Sequence, residues 1–199
     1  MPRAERAFDA EFFQRYYADP GTRVADSEDA ARLAALIHAV GGYLGVRVRR
    51  ILDAGCGVGL LQGPLLERYP RASYEGLEIS PYLCERYGWR QGSLADFAAA
   101  EPYDLVICHD VLQYLPAAPA ARALANLPRL CRGVLYCSVL TRRDWSQAAD
   151  QARTDREVHL RAAEWYRRRL RRGFRHVGCG VHLQLTLKPI LWELEAPWR

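Results

Sequence analysis

A chain of 199 residues, half of them hydrophobic and 26% charged, has the size and composition of one globular domain with a sizeable core. No apolar run approaches the roughly 18–20 residues of a membrane span, and the six cysteines stand singly without a C-x-x-C pair, which leaves zinc, redox and disulfide readings without support. The formal charge of +5 is carried almost wholly by arginine, Lys188 being the sole lysine, a bias that points to a GC-rich coding sequence before a nucleic-acid partner.

The chain opens on Met1-Pro2-Arg3-Ala4-Glu5-Arg6, with no apolar signal core, and is expected to remain cytosolic. Aromatic and charged residues then mix until the turn signal Asp19-Pro20-Gly21. Ser27 reads as a helix N-cap with Glu28 and Asp29 in the first turn. Leu33, Leu36, Ile37, Val40 and Leu44 follow at helical spacing, and Gly41-Gly42 is expected to fray the end.

Short apolar runs alternate with helical stretches from there. Strands are predicted at 50–54, 72–78, 103–108 and 133–139, with helices near 60–69 and 119–130. A helix near 161–172 and two strand-like runs, 177–185 and 190–195, complete the chain. The expected fold is α/β: a doubly wound, mostly parallel seven-stranded sheet ending in an antiparallel hairpin, with helices on both faces. It divides into a helical lid (1–46), a ligand-binding core (47–140) and a final helix with the hairpin (141–199).

The strongest motif is Asp53-Ala54-Gly55-Cys56-Gly57-Val58-Gly59, an acid ending a strand and then glycine at alternate positions. Such glycines permit a tight turn and close backbone approach to a ligand. A dinucleotide site prefers G-x-G-x-x-G with pyrophosphate on the helix N-terminus. The carboxylate of Asp53 at the same mouth would repel pyrophosphate and suits a ligand carrying ammonium and sulfonium groups. Glu78 ends the next strand, 19 residues after Gly59, where an acid accepts hydrogen bonds from the ribose hydroxyls.

With Gly76-Leu77-Glu78-Ile79-Ser80-Pro81 and Tyr103-Asp104-Leu105-Val106-Ile107, these motifs resemble the class I S-adenosylmethionine-dependent methyltransferases over residues 48–140. The resemblance implies S-adenosylmethionine as cofactor, with Gly55, Cys56, Gly57 and Gly59 around its methionine part and Asp53 near its ammonium group. It sets Glu78 on the ribose, with Ile79 and Ser80 flanking the ribose and adenine. Relatives often carry Gly-Asp next to the adenine, but this chain has Gly92-Ser93-Leu94-Ala95-Asp96. Ser93 and the backbone of Leu94 are the expected contacts, with Asp96 the alternative.

His109 follows the fourth strand, at the end of a parallel sheet where ligands bind, and begins His109-Asp110-Val111-Leu112-Gln113-Tyr114. The resemblance places it at the cofactor mouth of small-molecule methyltransferases. His109 and His159 are the candidate catalytic bases, needed only where the acceptor arrives protonated. Phe12, Phe13, Tyr16 and Tyr17 are expected to fold over the cofactor, with Arg23 on its carboxylate. The acceptor is expected to be a small molecule. An RNA or protein acceptor on the arginine-rich stretch 165–175, and a cofactor-binding partner subunit without turnover, are the competing readings.

Overall fold

A computed structural model describes residues 8–23, 25–189 and 192. Among these, β1 (Arg50–Ala54), β2 (Ser73–Glu78), β3 (Arg90–Gln91), β4 (Tyr103–His109), β5 (Cys131–Ser138), β6 (Phe174–Gly178) and β7 (Val181–Gln184) form one sheet in the order β3-β2-β1-β4-β5-β7-β6. The first five strands pair parallel, and β7 runs antiparallel between β5 and β6. The order reverses between β1 and β4, so the loops leaving these two strands part and open a crevice at their carboxyl ends.

The central strands β1, β4 and β5 are buried on both faces, and their side chains alternate between two cores. Leu52, Val106 and Leu135 point to one, with Leu124 and Leu127 of α5 (Ala117–Leu130) and Tyr166 and Leu170 of α7 (Ala163–Leu170). Ile51, Leu105, Ile107 and Val134 point to the other, with Ala34 and Ile37 of α2 (Ser27–Tyr43) and Leu65 of α3 (Gln62–Arg68). Asp104 gathers the strand starts, since its carboxylate accepts from the N–H groups of Arg49 and Arg50 and from Arg132 Nε at 2.7 Å.

Local chemistry moved several expected boundaries. The cap of α2 is Asp26, whose carboxylate accepts from the N–H groups of Glu28 and Asp29 while Asp29 answers on the Asp26 N–H; Ser27 is the first helical residue. The helix continues through Gly41 and Gly42, and Gly41 is buried against the Tyr69 hydroxyl. The run 177–185, read as one strand, bends at Gly178-Cys179-Gly180 and forms the hairpin by itself with residues from 174 onward. The predicted strand 190–195 lies outside the described residues apart from Trp192, which is not in a strand. Helix α7 stops at Leu170, so Arg171 and Arg172 follow it and only Arg167, Arg168 and Arg169 share its axis.

Four elements had no forecast: α1 (Ala10–Phe13) with a π turn at Gln14–Ala18, α4 (Pro81–Tyr87), β3 and α6 (Arg142–Gln147). Among the described residues no helix is long and apolar enough to cross a membrane.

Candidate active site

The turn after β1 shapes the crevice. Gly55 has φ +76°, and a Cβ there would collide with Val111, so the backbone and the segment after β4 pack face to face. Gly59 has φ +77°, and a Cβ there would lie 2.7 Å from the Trp89 ring. Trp89 also donates from Nε1 to the Gly57 carbonyl at 2.9 Å, clamping the turn from the side away from the crevice. Sequence reasoning missed Trp89; a lone tryptophan carries no spacing signal.

Two cavities meet at this turn. One, of about 150 Å³, is bordered by Glu78, Ile79, Ser93 and Leu94. The other, of about 410 Å³, is bordered by Asp53, Cys56, Asp29 and Tyr136. Tyr17, Gly55, Gly57, His109 and Asp110 line both, so the two are halves of one trough.

In the smaller half, Glu78 is 6% exposed and accepts three backbone hydrogen bonds. One oxygen accepts from the Gly57 N–H at 2.9 Å; the other accepts from the N–H groups of Ile79 at 2.7 Å and Ser80 at 3.0 Å. These bonds occupy three of the about four lone-pair sites of a carboxylate. Ser93 lines the cavity, while its hydroxyl accepts from the Ala95 N–H at 3.2 Å. Asp96, the alternative contact, is exposed and pairs with Arg122 at 3.3 Å, away from the lining.

In the larger half, Asp53 is 4% exposed and accepts the Tyr74 hydroxyl at 2.6 Å. Burial pushes its carboxyl up to about 6, against the lowering effect of that hydrogen bond and of His109. Burial, reinforced by Asp53 and Glu78, also pushes the Cys56 thiol far above its ordinary value, so Cys56 is a spacer in the lining and not a nucleophile.

The N-terminal segment lines one side of the trough. Asp9 caps α1 by accepting from the Phe12 N–H at 3.0 Å, and the π turn then carries Tyr17 into the trough. Burial and the nearby Asp110, Glu78 and Asp53 push the Tyr17 hydroxyl well above its ordinary value. Phe8, Phe12 and Phe13 close the smaller half, and Tyr16, expected among them, packs behind on Phe12. Arg23 does not border the trough; it pairs with Asp26 at 3.0 Å and supports the cap of α2.

His109 ends β4 inside the trough, its ring edge-on to Tyr136 at 5.7 Å and its Nε2 3.4 Å from the Asp110 carboxylate. Asp110 has φ +56°, a conformation rare outside glycine, and its N–H is tied to the Ser138 carbonyl. His159 is placed differently. Its N–H bonds the Gln113 carbonyl at 2.7 Å, in a loop that Arg161 pins by donating to the carbonyls of Leu112 and Leu115, and it borders neither half. Gly59 likewise lines neither.

A doubly wound sheet whose glycine bend runs beside a trough lined by four acids, Asp29, Asp53, Glu78 and Asp110, has the form of a nucleoside-binding fold. Comparison with known proteins specifies it. A family model described as a methyltransferase domain matches residues 22–184. Trans-aconitate 2-methyltransferase of Streptomyces avermitilis is 36% identical over 80 residues, 34% of this chain and 30% of that protein. Malonyl-[acyl-carrier protein] O-methyltransferase of Anoxybacillus flavithermus is 28% identical over 143 residues, 67% of this chain and 54% of that one. The chain thus spans about half or less of the curated relatives it matches. Among solved structures, the N-methyltransferase NodS of Bradyrhizobium japonicum, in complex with S-adenosyl-L-homocysteine, superposes with a TM-score of 0.57 at 17% identity, covering 88% of this chain and 97% of NodS. The chain belongs to the methyltransferase-domain family and has the fold of the class I S-adenosylmethionine-dependent methyltransferases.

Proposed function

We propose that the protein transfers the methyl group of S-adenosylmethionine in line to a small-molecule acceptor. One observation carries the reading: Asp53 and Glu78 sit in the two halves of a single trough on either side of the glycine turn. A ligand with an ammonium group at one end and a ribose at the other satisfies both acids, whereas a diphosphate lying across them would meet two carboxylates. Folding disfavours the charged form of the buried Asp53 carboxyl, and a cation beside it offsets that penalty.

When bound, the cofactor supplies a methyl carbon already activated by positive sulfur. The chain aligns and dries the site. Asp53 holds the amino-acid end, Glu78 the ribose, and Ser93 with Leu94 the base. The Gly57 N–H shares Glu78 with the ribose, so that bond loosens as the hydroxyls arrive. Phe8, Phe12 and Tyr17 exclude water. His109, oriented by Asp110, takes the proton from an acceptor that arrives protonated. His159 acts through the loop it holds on Gln113.

The relatives named for trans-aconitate support a small-molecule acceptor. An RNA-facing use of the arginine stretch is disfavoured because Arg171 pairs with Glu164 at 2.6 Å and Arg169 stacks on Trp165 at 3.7 Å. Calorimetry with S-adenosylmethionine and with dinucleotides tests the cofactor. Incubation with methyl-labelled cofactor and fractionated cell extract tests turnover. Saturable heat from a nicotinamide or flavin dinucleotide, with none from S-adenosylmethionine, would overturn the proposal. Tight cofactor binding without label in any fraction would favour the non-catalytic partner subunit.

A further inference from the structure

The carboxyl end of β5 borders a second large cavity, of about 540 Å³, between α7 and the β6–β7 turn. Tyr136 borders this cavity and the methionine half of the trough alike, and His109 meets the same ring edge-on. An acceptor in this cavity therefore lies one aromatic ring from the candidate base.

The charges of the two spaces are opposite. The trough is lined by Asp29, Asp53, Glu78 and Asp110. In the second cavity the one lining acid, Glu164, is already paired with Arg171 at 2.6 Å. Arg167, also in the lining, has no ion-pair partner among the described residues. It borders in addition an adjoining cavity of about 730 Å³ with Arg142 and Arg143. Asp144 there is spent on the N–H and hydroxyl of Thr141, with its Oδ2 at 3.0 and 2.6 Å. The His176 and His182 rings lie along the wall with their centroids 4.9 Å apart, tilted by 54°. Burial lowers both, His182 to about 4, with Arg167 adding to the effect on His176, so neither ring competes as a cation near neutral pH.

We propose that this second cavity is the acceptor site and that the acceptor is an oxyanion, a small molecule bearing carboxylate or phosphate. Its charged end rests on Arg167, with Arg142 and Arg143 beyond, and its reacting end faces His109 past Tyr136. The acidic trough repels the charged end and Arg167 attracts it, so the field sets the direction in which the acceptor enters. A guanidinium meets either oxyanion in a paired, bidentate geometry, which fixes the distance from anchor to reacting atom. The proposal rests on the methyltransferase reading and names the class of its substrate.

The test uses the full chain saturated with S-adenosyl-L-homocysteine and titrated in a calorimeter with citrate and, separately, with inorganic pyrophosphate. At least one is expected to bind, and which one does separates a carboxylate site from a phosphate site. Arg167→Ala is expected to weaken that binding about tenfold or more, with Arg167→Lys recovering part of it, as for a lost charge-assisted contact. Affinity for S-adenosyl-L-homocysteine should be unchanged in both variants, which certifies the fold. Wild-type protein that binds neither anion, or an Arg167→Ala protein that binds as tightly, overturns the proposal. Absence of heat with S-adenosyl-L-homocysteine instead sinks the methyltransferase reading, and this proposal with it.

Discussion

The Glu78 carboxylate accepts the backbone N–H of Gly57 at 2.9 Å, joining the end of β2 to the glycine turn after β1. With the N–H groups of Ile79 and Ser80 on its other oxygen, the side chain builds the cleft before any ligand arrives. A residue expected to serve the ribose is thus also a structural brace.

Glu78→Ala is expected to lose on both counts. Three N–H groups lose their acceptor, those of Gly57 and Ser80 in buried bonds, and leaving a buried group unpaired costs about 1–3 kcal/mol when water does not replace the partner. The apo protein should melt several degrees lower, and affinity for S-adenosylmethionine should fall about tenfold or more. Calorimetry and thermal denaturation on the same sample read both. Unchanged cofactor affinity in a destabilised variant would reduce Glu78 to the brace alone.

Asp53 gives a prediction with a defined pH window. Its folded value of about 6 lies above the ordinary 3.8, so the ionised form is disfavoured by folding. Stability therefore falls as pH rises from 3.8 to about 6 and stays reduced above that range. Asp53→Asn, which keeps an acceptor for the Tyr74 hydroxyl, should stabilise the apo protein at pH 7–8 by about 3 kcal/mol or less, a gain gone by about pH 4. The same variant should bind cofactor more weakly. Denaturant midpoints across pH check the first claim, and a gain independent of pH would defeat it.

Gly59 and Gly63 form a matched pair of opposite sign. Gly59→Ala forces a left-handed residue to carry a Cβ and drives it into the Trp89 ring, a loss of about 1–3 kcal/mol. Gly63 lies in α3 with open space around the added methyl, so Gly63→Ala should stabilise by about 0.4–1 kcal/mol. Urea titrations compare the two. Equal effects would show that the turn does not need the Trp89 clamp.

The lid should gate the nucleoside. The smaller half of the trough measures about 150 Å³, below the roughly 300–1,000 Å³ of ordinary ligand pockets. Phe12 must swing away from Phe8 and Phe13, its edge-to-face partners at 5.1 and 5.0 Å, for a base to enter. Phe12→Ala should raise the association rate constant for cofactor severalfold, measured by stopped-flow tryptophan fluorescence. An unchanged rate would mean that entry follows another path.

The chain by itself determined the architecture where periodicity was long and two-sided. The strands β1, β2, β4 and β5 sit within two residues of their expected places because each alternates into two cores. That Asp53, Gly55, Gly57, Glu78 and His109 border one trough followed from spacing, since a strand followed by a tight turn fixes where its last side chain emerges. Tertiary structure alone decided the rest. The hairpin depends on a bend at Gly178-Cys179-Gly180 that the apolar run conceals, and β3 is two residues held only by pairing with β2. Trp89, Asp96 and His159 took positions set by partners 26 to 46 residues away, Gly57, Arg122 and Gln113. Such partners are chosen when separate elements pack, and short-range pattern holds no record of that choice.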